Sequence, residues 1–456
     1  MSQYEPRGGE TDVPENGTGR DDLNRRTLLK TAGGGAVGVS LAGCLDSYET
    51  IAGSADEDTE TVTIGLLAPE PESDFVGHSM ARSAAVAVDE LNEAGGINGQ
   101  DVELVVADTN GSPLEARRQY QRLVLEEGAD VTVGTFASEA LASLMDEIAE
   151  QELLHLTTGS ATQFASQRVH DAYDRYKYHF RVGPTNDVDL GRAQINFMTE
   201  MAPEIGWESI AVLAEDYSWA DQPWEIYQEQ LKETPVDVAM DKRYSPATDD
   251  FTDIYDDVAE AGADAVFISA AHTGTDALLD WSVPNRPTSQ PTPQPFAFGG
   301  IHVPMQLPNY YEETEGACRY GIGYSAATER SEITPKTQEF VQRYYETNGS
   351  YPQDMGYYTY DAVKLFAEVA ELTGTTDSES LVPVIEAESF TGATGNVEFY
   401  DTDHVHAHDR VYDEDDETTV GVYFQWQQND DGEGVREVIW PEVHATGEYI
   451  TPPWLE

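Results

Sequence analysis

Cysteine is nearly absent: Cys44 and Cys318 are the two in a chain of 456 residues. A disulfide framework is thereby excluded as the source of stability, as is a Cys-rich metal knuckle. Cationic side chains are also scarce, with 25 Lys and Arg against 85 Asp and Glu, a formal charge of −60. Nucleic acid is excluded as a partner, because neutralising phosphates needs clustered cations. Long apolar runs are missing; the weakly apolar stretch Thr31 to Gly43 is too short to span a bilayer. Nor is there a Gly-x-Ser-x-Gly elbow, a P-loop or a His-Glu-x-x-His pair. Nothing supplies an activated nucleophile or a metal, so neither an enzyme nor a cofactor is expected.

The negative charge belongs to the body of the chain, since residues 1–43 carry five basic and six acidic side chains. Such self-repulsion destabilises a domain in dilute buffer, whereas at about 1 M salt the Debye length falls to roughly 3 Å. A hypersaline environment is the expectation. Ten per cent aromatics and regular apolar periodicity set the chain apart from acidic disordered sequences. Its length accommodates two domains, each with its own core.

The first sixty residues carry signals of another kind. Asn24-Arg25-Arg26-Thr27-Leu28-Leu29-Lys30, ahead of a mild apolar segment, resembles a Tat export signal. Leu41-Ala42-Gly43-Cys44 resembles a lipobox, in which the chain is cut before an acylated cysteine. Residues 1–43 then read as the signal segment and 44–61 as a flexible acidic tether. The expected location is the extracellular face of the cytoplasmic membrane, held by a lipid on Cys44. A lipidated Cys44 cannot bridge to Cys318.

What the chain does have is one stretch that organises the rest, Val62 to Asp108. Val62, Ile64, Leu66 and Leu67 make a short apolar strand ending at Ala68-Pro69. Met80, Ala84, Ala87, Val88 and Leu91 recur at three- and four-residue steps, one face of a helix. Asn92 to Gly96 stops it, and Val102, Leu104, Val105 and Val106 form the next strand. This βαβ unit implies a parallel sheet. The same alternation predicts helices over 113–127, 139–151 and 190–201, and strands over 130–134, 153–157 and 210–213.

Ile64-Gly65, Pro69, Gly77, Asn92 through Gly99 and Asp108 together resemble the opening of the type I solute-binding proteins of ABC importers, in their branched-chain amino acid class. His179 to Pro184 is similar to that family's strand crossing to the second lobe, and Glu215 to Ala220 to its D…YG segment. There Trp219 stands in the place of a pocket tyrosine and Ala220 in that of the glycine. Tyr360-Asp361-Ala362 matches its YDA helix, and Phe390 to Phe399 its third crossing. The likeness runs in order from Val62 to Phe399.

The resemblance implies an α/β fold of two doubly wound parallel-sheet lobes joined by a three-strand hinge. Residues 62–183 and 326–394 would form the N-terminal lobe, and 184–325 and 395–456 the C-terminal lobe. It implies capture of a small polar solute (a branched-chain or other amino acid, an amide or a urea-like compound) by lobe closure. The partners implied are ABC permease subunits with their ATPase, and the protein itself is expected to be a monomer. A sensor of the same fold, signalling to a separate transducer, is the alternative. The site implied places the solute carboxylate on Ser138 and on Thr157, Gly159, Ser160 and Ala161. Phe75 and Trp219 pack its body, with Tyr217 and His272 as further contacts. Capping of the next helix is a second role open to Ser138.

One departure stands out. The amino acid binders carry a glutamate for the ligand ammonium just after the strand that here reads Gly299-Gly300-Ile301-His302, with no carboxylate. Asp216 and Asp221 are the substitutes at hand, or else solvated surface acids. His404, His406 and His408 alternate as on one face of a strand. Successive positions on one strand seldom converge on an ion, so no metal is assigned. Asn110 and Asn348 open glycosylation sequons.

Overall fold

A computed structural model describes residues 61–283, 292–413 and 421–456. The twin-arginine segment, Cys44, the tether through Glu60 and most of the proline-rich loop 284–295 lie outside the described residues.

The organising stretch folds as its periodicity predicts. β1 (Val62–Ala68) is buried along its whole length, because it runs between two parallel neighbours. Those are β2 (Val102–Asp108) and β3 (Val131–Gly134), followed outward by β4 (His155–Thr157) and β5 (His179–Arg181). α1 (Phe75–Ala94) is longer than its apolar stripe. Asp74 caps it, accepting from the N–H groups of Val76 and Gly77, and Gly95 ends it at φ 107°. α2 (Pro113–Leu125), α3 (Ser138–Gln151), α4 (Phe164–Asp171) and α5 (Tyr173–Tyr176) complete this run.

The second run repeats the plan. α6 (Asp187–Ile205) leads to β6 (Ser209–Glu215), α7 (Asp221–Gln230), β7 (Asp237–Tyr244), α8 (Thr252–Ala261), β8 (Ala265–Ala270), α9 (Asp276–Ser282) and β9 (Ala297–His302). The sheet order is β7-β6-β8-β9, all parallel. Strand alternation covers both faces: Ile210 and Val212 enter one apolar cluster, Ala211 and Leu213 the other. After α10 (Tyr310–Glu313) comes β10 (Ile322–Ser325). It joins a later antiparallel hairpin, β13 (Val422–Gln428) and β14 (Gly434–Trp440). Cys318, in this lobe, is fully buried, and burial pushes its thiol up to about 12.

Between these segments the chain returns to the first lobe. α11 (Pro335–Asn348), α12 (Asp354–Thr373) and α13 (Ser378–Ile385) bury Phe340, Tyr357, Phe366 and Leu381 in the first core. α12 crosses α1 so closely that a Cβ on Gly356 would lie 2.3 Å from Ser79 Oγ. Only glycine fits there, and the start of α12 is thereby fixed against α1.

Two sequence expectations are corrected. Phe390 to Phe399 is not itself the third crossing. β11 (Phe390–Gly392) and β12 (Gly395–Val397) form an antiparallel hairpin whose Phe390, Val397 and Phe399 stay in the first core. The connector is the next segment, which reaches the second core at Tyr412. It runs beside the first crossing, where fully buried Arg181 and Asp409 pair at 2.8 Å. The three histidines do not alternate on a strand either. Residues 401–408 are turns, with His408 at φ 63°. His408 stacks on Phe180 and bonds Glu386, while His404 stacks on Tyr400, so the rings serve separate contacts. No described helix is long and apolar enough to cross a membrane.

Candidate functional site

A cleft with a cavity of about 50 Å³ opens where the carboxyl ends of the two parallel sheets meet. Ligands of open α/β sheets bind at this edge. From the first lobe, the turn after β3 supplies Phe136, Ala137 and Ser138, and the loop after β4 supplies Gly159 and Ala161. The two turns are tied together: Ser160 N–H donates to the Thr135 carbonyl at 3.0 Å, and Thr158 N–H to the Gly134 carbonyl at 3.2 Å. A Cβ on Gly159 would come 2.9 Å from Phe136 Cα, so glycine allows the loops to touch.

Ser138 is not the cap of α3. Ala137 occupies that position and Ser138 is the first helical residue, so its hydroxyl is released from capping. Ser160 Oγ donates to Ser138 Oγ at 3.4 Å, and both are buried. The first intrahelical bond is donated by Ala140 to Ala137, leaving the N–H groups of Ser138 and Glu139 ahead of the ladder.

The second lobe contributes large side chains. Trp219 follows β6, Ala271 and His272 follow β8, and Ile301 and Val303 flank the end of β9. Behind them sits Glu215, the last residue of β6, whose side chain is fully buried. Five donors converge on its carboxylate. They are Trp219 Nε1 at 2.6 Å, the His272 ring at 2.8 Å and N–H at 2.9 Å, and the Thr273 N–H and hydroxyl at 3.1 Å each. Burial alone would raise its pKa, but these bonds, led by His272, outweigh it and hold the carboxyl below its usual value. Glu215 thus fixes the orientation of two pocket walls without lining the pocket. Tyr217 stacks on the His272 ring at 3.9 Å. Next to it, Ser218 Oγ donates to Glu139 Oε1 at 2.6 Å, a hydrogen bond across the cleft.

The hinge side closes the cavity with Pro184, Leu190, Gln306, Tyr324, Asp354 and Met355. Asp354 opens α12 and is 2% exposed. It accepts from Ala326 N–H at 2.5 Å, Ser325 Oγ at 3.2 Å and Gln306 Nε2 at 3.2 Å. Burial pushes its pKa up to about 6 against those bonds.

Ser138, Gly159, Ala161, Trp219 and His272 are therefore brought together at one cavity. Ser160 and Tyr217 sit just behind its wall. Phe75 and Thr157 do not line it. Phe75 begins α1 and packs on the first core. Thr157 is spent on His179 Nε2 at 3.0 Å. Asp216 and Asp221 are exposed and pair with Arg243, at 3.5 and 3.0 Å, so neither replaces the missing glutamate. Gln306, Tyr324, Asp354 and Met355 carry no local pattern that would have marked them.

A family profile described as periplasmic binding protein matches residues 61–281 and 297–412. The Leu/Ile/Val-binding protein homolog 7 of Brucella suis is 26% identical over 290 residues, covering 61% of this chain and 68% of that one. Two solved structures share the fold with a TM-score of 0.65 each. One is the branched-chain amino acid transporter substrate-binding protein of Streptococcus pneumoniae in complex with isoleucine, 17% identical, covering 84% of this chain and 100% of that one. The other is a solute-binding protein of an ABC transporter from Rhodopseudomonas palustris in complex with 3,4-dihydroxybenzoic acid, 16% identical, covering 86% and 99%. With more than half its length matched, and with two parallel-sheet lobes meeting at a cleft, this chain belongs to the periplasmic binding protein family.

Proposed function

We propose that the protein is the extracellular substrate-binding component of an ABC importer, closing its two lobes on a small carboxylate-bearing solute and presenting it to the permease. The observation that carries this reading is the cavity's composition. One lobe offers a hydroxyl not spent on capping and the helix-start N–H groups at Ser138; the other offers a large apolar wall at Trp219 and Ile301. Such N–H groups receive an anion, and the wall buries the solute body. Both bound neighbours carry a carboxylate on an apolar frame, one isoleucine and the other a dihydroxybenzoic acid. Closure draws its free energy from contacts that exist only when both lobes touch the solute.

Export by the Tat route and a lipid on Cys44 are part of the same proposal, supported by the Arg25-Arg26 and Leu41-Ala42-Gly43-Cys44 motifs. The charge of −60 supports a protein that works in molar salt as a monomer. The test is a thermal-shift screen in molar salt with amino acids, amides, urea-like compounds and aromatic carboxylates. One chemical class is expected to raise the melting temperature; chemical turnover of the binder, or no binder at all, counts against the proposal.

A further inference from the structure

We infer that the Glu215–His272 dyad is the second lobe's anion-binding group: His272 takes up a proton when the solute's carboxylate binds, and clamps that carboxylate against the first lobe. The inference rests on the solute-binding reading above and adds the chemistry by which the second lobe meets the solute's charge. Glu215 Oε1 receives both the Trp219 N–H and His272 Nδ1, and its carboxyl is held ionised. An ionised carboxylate only accepts, so Nδ1 carries a proton and the neutral ring keeps its lone pair on Nε2. Nε2, on the far edge of the ring, has no protein partner among the described residues, and the ring, 29% exposed, is part of the cavity wall. The ring also faces the first lobe, with its centroid 6.3 Å from that of Phe136, two residues before Ser138. A carboxylate seated at the Ser138 turn thus has His272 as its neighbour from the second lobe.

A neutral ring offers that carboxylate a lone pair, and two acceptors repel. A proton on Nε2 turns the contact into a charge-assisted hydrogen bond, and the new positive charge then sits between two carboxylates, Glu215 behind and the solute in front. The other titratable groups around the ring are spoken for. Tyr217, stacked on it, stays a neutral phenol, because burial and the bond to Glu139 raise it. Tyr244 is raised by burial and bonds Thr273. His302 bonds the Gly274 carbonyl, and burial lowers it to about 4, so it is neutral at neutral pH. Arg243 is spent on the Glu215 and Tyr217 carbonyls and on Asp216 and Asp221. Asp354, on the hinge side of the cavity, is the rival site for the proton, since burial raises it to about 6 while the Arg436 charge opposes the rise.

The experiment is calorimetric titration of the folded protein in molar salt with L-isoleucine, 3,4-dihydroxybenzoate and the neutral 3,4-dihydroxybenzamide. Each is run in phosphate and in Tris, whose heats of ionisation differ, so that proton uptake is read directly. An acid that binds is expected to draw a proton from the buffer, and its affinity to fall by up to about tenfold per pH unit from pH 7 to pH 9. The amide should bind without uptake. His272→Gln should abolish the uptake and weaken the acid by about tenfold or more, leaving the amide within about threefold. Uptake that survives His272→Gln places the proton elsewhere, on Asp354 first of all, and overturns the inference. Binding of an acid with equal heats in both buffers and no pH dependence overturns it too, needs no variant, and leaves the solute-binding proposal standing. If His272→Gln does not fold, nitrogen NMR of histidine-labelled wild type decides: one ring should convert to imidazolium as the acid is added, and no conversion overturns the inference. Failure of both acids to bind overturns it together with the carboxylate pocket on which it rests.

Discussion

On the β3–β4 side of the cleft the lining groups are small: Ala137, Ser138, Gly159 and Ala161, with polarity supplied by backbone and one hydroxyl. On the β6–β8 side they are Trp219 and His272, whose indole N–H and Nδ1 turn to a buried carboxylate. The first half is held by the fold itself, since helix starts and strand ends place its donors. The second half is held by side chains bracing one another, so its shape depends on Glu215. A solute therefore meets an anchor held by the backbone on one lobe and a wall held by one buried carboxylate on the other.

The contrast fails if the braced half tolerates loss of its brace. Glu215→Ala leaves the donors of Trp219, His272 and Thr273 without their acceptor, and should cost about 3–5 kcal/mol of stability. Denaturant unfolding in molar salt measures this; a loss under about 1 kcal/mol would show that water or neighbours replace the carboxylate. Asp354 should behave oppositely. Its pKa is raised to about 6 from 3.8, so the cost of its ionisation is fully present above pH 6 and vanishes as pH falls toward 4. Arg436 and the bonds from Ala326, Ser325 and Gln306 already moderate that cost. Asp354→Asn should accordingly gain on wild type by ~3 kcal/mol between pH 4 and pH 8. A pH-independent difference would mean that Asp354 is not buried as an anion.

Smaller effects probe the anchor. Ser138→Ala should weaken a carboxylate solute by about 1–3 kcal/mol, read by calorimetry, because a buried acceptor loses its donor. Unchanged affinity would shift the burden entirely to the N–H groups of α3. Least of all, Ser218→Ala removes the partly solvated bond to Glu139 and should cost ~0.5–1.5 kcal/mol of solute affinity, seen as faster release in stopped-flow. Equal release rates would mean that this cleft-spanning bond makes no difference to closure.

Much of this arrangement was legible in the sequence, for physical reasons. The βαβ periodicity at Val62–Asp108 reports which faces are buried, and burial sets the sheets. Ser138, Gly159 and Ala161 follow strand ends, and the resemblance to the solute-binding family, not the strands alone, singled them out. Asp354 lies far along the chain from Ser138, and only tertiary packing of α12 on α1 joins them. Glu215 was hidden differently: among 85 acidic residues, nothing local separates a buried carboxylate from the solvated ones. The histidine alternation misled because a period of two also fits a run of turns, where His408 takes a left-handed backbone.

The buried state of Cys318 has a practical side. A thiol pushed to about 12 and sealed in the second core is inert to maleimide at neutral pH, because the thiolate is the reactive form. A soluble form starting at Thr61 lacks Cys44, so a cysteine introduced at exposed Asp216, beside the cleft, would be its one labelling site. Carrying an environment-sensitive dye there, the protein would report optically on solutes tested for binding at the cleft, with no native thiol to remove.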